Sequence, residues 1–268
     1  MRIFEKFFRP KSNEAKINFE LGLALYNGTN VKRDIDEAIR YFIKARGGGN
    51  AKAVYYLGLC SFKGDGVNQD IEKAVKYWIR AANLGDDDAQ YRMGCCFDKG
   101  IGVQKSSNSA KKYWEKSAKQ KNPDAMYFLG FYEYYGICKV SNVSKAVVYW
   151  EAAEKYDQRD AIFRLGLCYF LGSGVERNIE ETVSYFERAS ELGQSSAKYM
   201  LGRMYFEGYY SILRNESRGW QLIYDAANSG EVAAKKYLAN IERIRQNPIP
   251  RISPFSENDD GEDEIYEV

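Results

Sequence analysis

One spacing constrains this chain more than any other feature in it. A leucine or methionine followed by glycine stands at Leu21-Gly22, Leu57-Gly58, Met93-Gly94, Leu129-Gly130, Leu165-Gly166 and Leu201-Gly202, each step 36 residues. Self-similarity at such a period belongs to chains built from stacked supersecondary units, in which each unit buries its apolar face against its neighbours. The unit is clearest from Asn50 to Gly85, NAKAVYYLGLCSFKGDGVNQDIEKAVKYWIRAANLG, which reads as helix, tight glycine loop, helix.

The other positions of the unit recur in phase. Ala53, Leu57 and Cys60 share one helical stripe, which predicts a first helix over about Ala51–Phe62. The glycine after each anchor implies a backbone that another helix approaches, where added volume would cost about 1–3 kcal/mol. Gly28, Gly64, Gly100, Gly136, Gly172 and Gly208 then open a loop that needs positive φ. Asp34, Asp70, Ser106, Asn142, Asn178 and Asn215 cap the second helices, each cap contributing about 1 kcal/mol. Behind the caps come small residues (Ala38, Ala74, Ala110, Ala146) and aromatic pairs, Tyr41-Phe42, Tyr77-Trp78, Tyr113-Trp114, Tyr149-Trp150 and Tyr185-Phe186. The tryptophans should be buried between helices. Two loops break the rule: the fourth has Cys138 and Lys139 where others have glycine and valine, and the sixth, GYYSILRN, is one residue longer. Both should depart locally, with Tyr209 and Tyr210 exposed. Residues 231–247 repeat a first helix around Ala234 and Leu238, with no second helix after it.

The fold expected is therefore all-α, six 36-residue helix-loop-helix repeats over residues 13–247 closed by a C-terminal cap helix. A leader, 1–12, precedes it. Ile3, Phe4, Phe7 and Phe8 on one face suit a cap over the first repeat, and the basic margin of residues 1–11 leaves a membrane-surface contact as the other reading. Residues 248–268 form a proline-containing linker and an acidic tail that reads as disordered. Seven acids and no base fall within 256–268; setting them aside leaves 39 basic against 30 acidic residues, a net +9 body. The tail could fold back, with Ile265, Tyr266 and Val268 meeting groove aromatics such as Phe170 and Phe206, or remain a free solubilising end.

The pattern AxxxLGxxxxxGxGVxxDxxKAxxYWxxAAxxG, carried best by Ala53, Leu57, Gly58, Gly64, Gly66, Val67, Asp70, Lys73, Ala74, Tyr77, Trp78, Ala81, Ala82 and Gly85, resembles the Sel1-like repeat, a relative of the tetratricopeptide repeat. The resemblance implies a right-handed superhelical solenoid, bacterial in type, that acts as an adaptor or scaffold, with toxin neutralisation among the family's uses. Some secreted members staple helix pairs with disulfides. Here Cys60, Cys96 and Cys168 share one first-helix slot, filled elsewhere by Ala24, Tyr132 and Met204, so it reads as a core position.

Composition excludes most chemistry. The chain has no histidine, which removes the commonest general base and metal ligand. There is no phosphate-cradling GxxxxGK[ST], and adjacent Cys95-Cys96 lacks metal-ligand spacing. Catalytic residues, metal and cofactors are all expected to be none, with a hydrolase or a nucleic-acid-binding repeat only remote alternatives. The basic residues are scattered, without an RNA-reading code. No stretch of 18 apolar residues suggests a transmembrane segment, no signal peptide is visible, and five cysteines suit reduced thiols, so the expected location is cytoplasmic.

The expected partner is a protein or peptide, bound in a concave groove lined by the first helices. Counted from the anchor, positions −2, +2 and +5 give Tyr55, Leu59 and Phe62; Tyr91, Cys95 and Asp98; Tyr127, Phe131 and Tyr134; Phe163 and Phe170; and Tyr199, Arg203 and Phe206. Aromatic anchors of this kind make protein-binding hot spots. Packing between successive first helices is the other reading of position −2. Position −5 gives Asp88, Asp124 and Asp160, an acidic ladder or simply first-turn carboxylates facing helix dipoles.

Overall fold

A computed structural model describes residues 11–208 and 214–246, and among them every regular element is an α-helix. The readings attached to residues 1–10, to Tyr209 and Tyr210, and to 247–268 lie outside the described residues. The helices pair as α1 (Lys11–Asn27) with α2 (Ile35–Gly47), α3 (Ala51–Lys63) with α4 (Ile71–Asn83), α5 (Asp87–Lys99) with α6 (Ser107–Lys119), α7 (Pro123–Tyr135) with α8 (Val143–Glu154), α9 (Arg159–Leu171) with α10 (Ile179–Glu191), and α11 (Ser195–Glu207) with α12 (Glu216–Asn228). A further helix, α13 (Val232–Gln246), follows them, and among the described residues no second helix pairs with it. The fold is a helical solenoid in two compact units, one through Leu192 and one from Gly193. Within the first, each of α1 to α10 packs on its chain neighbours; within the second, α11, α12 and α13 pack on one another.

The anchor glycine has a more specific cause than helix approach in general. A methyl group on Gly58 would lie 2.6 Å from Cδ1 and Nε1 of Trp78, the second aromatic of its own repeat's pair. The Cδ1–Nε1 edge of the indole faces the glycine, and Trp78 Nε1 donates to the Tyr55 carbonyl at 3.3 Å. Trp114 and Trp150 do the same to the carbonyls of Tyr91 and Tyr127, each at 3.2 Å. All three tryptophans are buried, as expected. Phe42 and Phe186 take the slot in the first and fifth repeats and Ile223 in the sixth, where Gly219 replaces the small residue behind the cap. A methyl there would meet the Gly202 carbonyl oxygen at 2.7 Å, so α11 and α12 touch backbone to backbone.

All six second-helix caps form as read from the sequence, each side chain accepting from the backbone N–H three residues on. The loops close by a bond the sequence did not announce. The cap residue's own N–H donates to the carbonyl four residues past the anchor, from Asp34 to Leu25, Asp70 to Ser61, Ser106 to Phe97, Asn142 to Glu133, Asn178 to Tyr169 and Asn215 to Tyr205. The two irregular loops keep this closure.

The fourth loop's departure has a partner. Position +4 holds Glu133 there, its side chain fully buried. Lys111 Nζ of α6 lies 2.9 Å from its Oε1, Lys145 Nζ of α8 3.0 Å from the same oxygen, and Lys139 Nζ of the loop 3.1 Å from Oε2. In the third repeat the corresponding joint is apolar: Phe97 stands for Glu133 and Val103 for Lys139, and a methyl group on Gly102 would touch Val75, the residue that Lys111 replaces one repeat later, at 2.8 Å. The odd lysines at 111 and 139 thus go with Glu133, an ionic joint where the third repeat has an apolar one. Burial alone would raise the Glu133 carboxyl; the three ammonium groups override it and hold it down at about 2.

Candidate binding face

The first helices start on caps that the sequence reading missed. Asn50, Asp86, Asn122, Gln158 and Gln194, seven residues before their anchors, each accept from the N–H three residues on. The signal was present, a polar Asn, Asp or Gln in phase at every step from the second repeat onward. Glutamine is outside the usual cap set, which hid the last two.

These caps dissolve the acidic ladder. Asn122 Nδ2 donates to Asp87 Oδ2 and Asp88 Oδ1, each at 3.3 Å, and Gln158 Nε2 donates to Asp124 Oδ1 at 3.2 Å. A carboxylate of one first helix therefore braces the cap of the next. Asp86, Asp87 and Asp88 stand close enough to share a cation. The Lys52 ammonium takes that place, 3.8, 3.3 and 2.8 Å from the three in turn. Burial nonetheless raises Asp86 to about 6, whereas Asp87, despite some burial, is lowered by Asn122 and Lys52.

Of the residues predicted to meet a partner, Tyr55 is buried, and it packs edge-on against Tyr56 at 5.4 Å. Leu59, Phe62, Tyr91, Cys95, Asp98, Tyr127, Phe131, Tyr134, Phe163, Phe170, Tyr199, Arg203 and Phe206 are half-buried, between core and solvent. Several face inward more than outward. Phe62 lies 5.3 Å from Trp78, Tyr134 5.6 Å from Trp150, and Phe163 5.5 Å from Phe186, ring centre to ring centre. Asp98 accepts from the Tyr132 hydroxyl of the next repeat at 2.5 Å and is already used in joining repeats. In the second unit, Arg203 forms an ion pair with Glu207 at 2.9 Å and lies over the Tyr237 ring at 5.5 Å, while Phe206 stands 4.8 Å from Trp220.

Position −1 was not part of the predicted stripe, and it adds the charge. From the second repeat to the fifth it alternates Tyr56, Arg92, Phe128, Arg164. Arg92 lies 5.7 Å over the Tyr91 ring. Arg164 lies 5.7 Å over the Phe131 ring and donates to the Tyr135 hydroxyl at 3.4 Å. Phe131 and Tyr135 pack at 4.5 Å, and Tyr135 is exposed. Each arginine thus lies over an aromatic ring while it carries positive charge on the first-helix face. Burial pushes the thiol of Cys95 upward, as it does Cys60, Cys96 and Cys168, the last three to about 11, so none is poised as a nucleophile. The last three are buried, in keeping with the core slot read from the sequence.

The Sel1 repeat model matches residues 18–50, 51–86, 87–122, 123–155, 159–194 and 195–231. The chain belongs to the Sel1 repeat family. Its six matched repeats coincide with the six helix pairs. Among solved structures, a Sel1 repeat protein from Oxalobacter formigenes is similar, at 24% identity and TM-score 0.73 over 82% of this chain and 88% of that one. A protective antigen of uropathogenic Escherichia coli with the same fold is 25% identical, at TM-score 0.70 over 85% of this chain. This chain spans 48% of that protein's length. An immunity protein of Pseudomonas aeruginosa shares the fold at 18% identity and TM-score 0.54, over 88% of each chain. Among curated proteins no match is found. Among the described residues no helix is long and apolar enough to cross a membrane.

Proposed function

We propose that this Sel1 repeat protein is a non-catalytic scaffold in the cytoplasm that binds a protein or peptide along the exposed face of its first helices. The observation that carries the reading is the pair of arginines over aromatic rings, Arg92 and Arg164, set among Tyr91, Phe131 and Tyr135. Aromatic and arginine side chains fixed before binding lose little freedom on association, and they dominate protein interfaces. The absence of histidine from the sequence and the raised thiols argue against catalysis. A second reading, an immunity protein that occludes one toxin or enzyme, is favoured by the two Pseudomonas aeruginosa immunity proteins that share the fold.

Affinity purification with mass spectrometry, run on wild type and on Arg92→Ala/Arg164→Ala, tests both. A scaffold recovers several proteins, an immunity protein one partner in fixed stoichiometry, and in either case the double variant loses the capture. Undiminished capture by the double variant would move the site off this face.

A further inference from the structure

The repeat leaves one of its anchors in water. Leu57, Met93, Leu129, Leu165 and Leu201 are 4% exposed or less, whereas Leu21 is 45% exposed. The stripe around Leu21 is open too. Four residues before the anchor, Ala53, Ala89, Ala125, Ala161 and Ala197 are fully buried, but the first repeat has Ile17 there, 41% exposed. Three residues after it, where later repeats bury Cys60, Cys96, Tyr132, Cys168 and Met204, Ala24 is only half-buried. In the second, third and fifth repeats the preceding second helix covers this stripe, and its Ala45, Ala81 or Ala153 shares the same core cluster. Among the described residues no helix precedes α1.

The residues just ahead of α1 carry an apolar face of their own, Ile3, Phe4, Phe7 and Phe8. They cannot cover the stripe as a missing second helix. Counted 36 residues back from α2, that register would put Arg2, Lys6 and Arg9 where Ala38, Phe42 and Ala45 are buried. The α1 side is altered in step, because alanine before the anchor admits a helix at repeat spacing and isoleucine overfills the gap. Both halves of the joint therefore depart from the repeat together.

We propose that residues 1–10 fold back on α1 and lay Ile3, Phe4, Phe7 and Phe8 over Ile17 and Leu21, capping the open end of the solenoid. Ten residues of helix rise about 15 Å, the same as the rise from Lys11 to Leu21. Arg9 precedes Pro10, a position that disfavours helical backbone, so a turn falls just before α1. Charge agrees with this placement. Glu14 and Glu20, three residues either side of Ile17, are exposed along both margins of the stripe, and residues 1–10 bring Arg2, Lys6 and Arg9 to them. Glu20 also lies 3.9 Å from the exposed Lys16. In a solenoid each repeat is stabilised by its neighbours, so an uncovered first repeat frays.

Hydrogen–deuterium exchange of the full chain reads the cover directly. Phe4→Ser/Phe7→Ser/Phe8→Ser should speed amide exchange in α1 roughly tenfold or more and leave α5 to α8 unchanged. Ile17→Ala should also speed it. Alanine is the better helix former, so at a position open to water this change would leave exchange unchanged or slow it. Combined, the two changes should speed α1 no more than the larger does alone, since each removes the same contact. Unchanged exchange of α1 in the triple variant would overturn the proposal, and so would rates that multiply in the combination. Two other occupants are tested on the same proteins. Wild type should stay off vesicles of phosphatidylcholine and phosphatidylserine; vesicle binding that the triple variant abolishes would give residues 1–10 to a membrane and overturn the proposal. In sedimentation equilibrium, a dimer that Ile17→Asp breaks would give the stripe to a second copy and overturn it equally.

Discussion

Replacing Glu133 with glutamine removes one negative charge and leaves three ammonium groups around a neutral amide. Glu133 is held at about 2 against an ordinary 4.5, so its ionised form is favoured in the native state. At about 1.36 kcal/mol per unit, that difference corresponds to about 3 kcal/mol at neutral pH. Lys139 and Lys145 are nearly half exposed and partly screened, so about 2 kcal/mol is the expected loss. At 2–4 °C per kcal/mol for a domain of this size, the variant should melt roughly 4–8 °C below wild type at pH 7. The pH dependence follows from the direction of the shift. A carboxyl whose native pKa is depressed contributes stability above its unfolded value, and the contribution is lost as pH falls from about 4.5 towards 2. Thermal unfolding followed by circular dichroism at pH 7 and near pH 2.5 should show a gap at the first and near-coincidence at the second. An equal gap at both would mean that the side chain acts by shape and not by charge. A second variant, Glu133→Leu/Lys111→Met, should recover most of the loss, because an apolar pair of similar volume fits a joint that Phe97 and Val75 make apolar in the third repeat.

Other substitutions test the repeat itself. Gly58→Ala should cost about 1–3 kcal/mol, measured by denaturant midpoint, because its methyl meets the Trp78 ring. Gly47→Ala, with nothing within 4 Å, should be neutral or stabilising by up to about 1 kcal/mol. Asn50→Ala removes one cap and should cost about 1 kcal/mol. Asn122→Ala should cost more in the same assay, since it also takes a donor from Asp87 and Asp88. Arg92→Ala should weaken a captured partner by about 2 kcal/mol in calorimetry, roughly thirtyfold in Kd.

The solenoid was legible because its constraints are local and repeat. A capping side chain, a loop glycine or a glycine beneath an aromatic ring is fixed by neighbours a set distance away in sequence, and six copies separate signal from noise. The identity of the Gly58 contact was not legible, because Trp78 lies across the hairpin and several residues could have filled the gap. The glutamine caps were missed because their geometry comes from the fold and not from propensity. The Glu133 joint was half visible, as an irregular loop, but only three dimensions connect Lys111, Lys139 and Lys145 to one carboxylate. On the first-helix face, periodicity found the stripe but not its division between packing and display. Phe62 and Phe163 lie against the second-helix rings of their own repeats, while Arg92 and Arg164, one residue off the chosen stripe, carry the charge.

The central claim is that a partner sits on the first helices of the repeats. Hydrogen–deuterium exchange of the full chain, alone and saturated with its captured partner, tests it most directly. Binding should slow exchange in α3, α5, α7 and α9, most around Arg92 and Arg164, and leave the second helices α4, α6, α8 and α10 near their free rates. Protection confined to those second helices, with α5 and α9 unchanged, would contradict the claim.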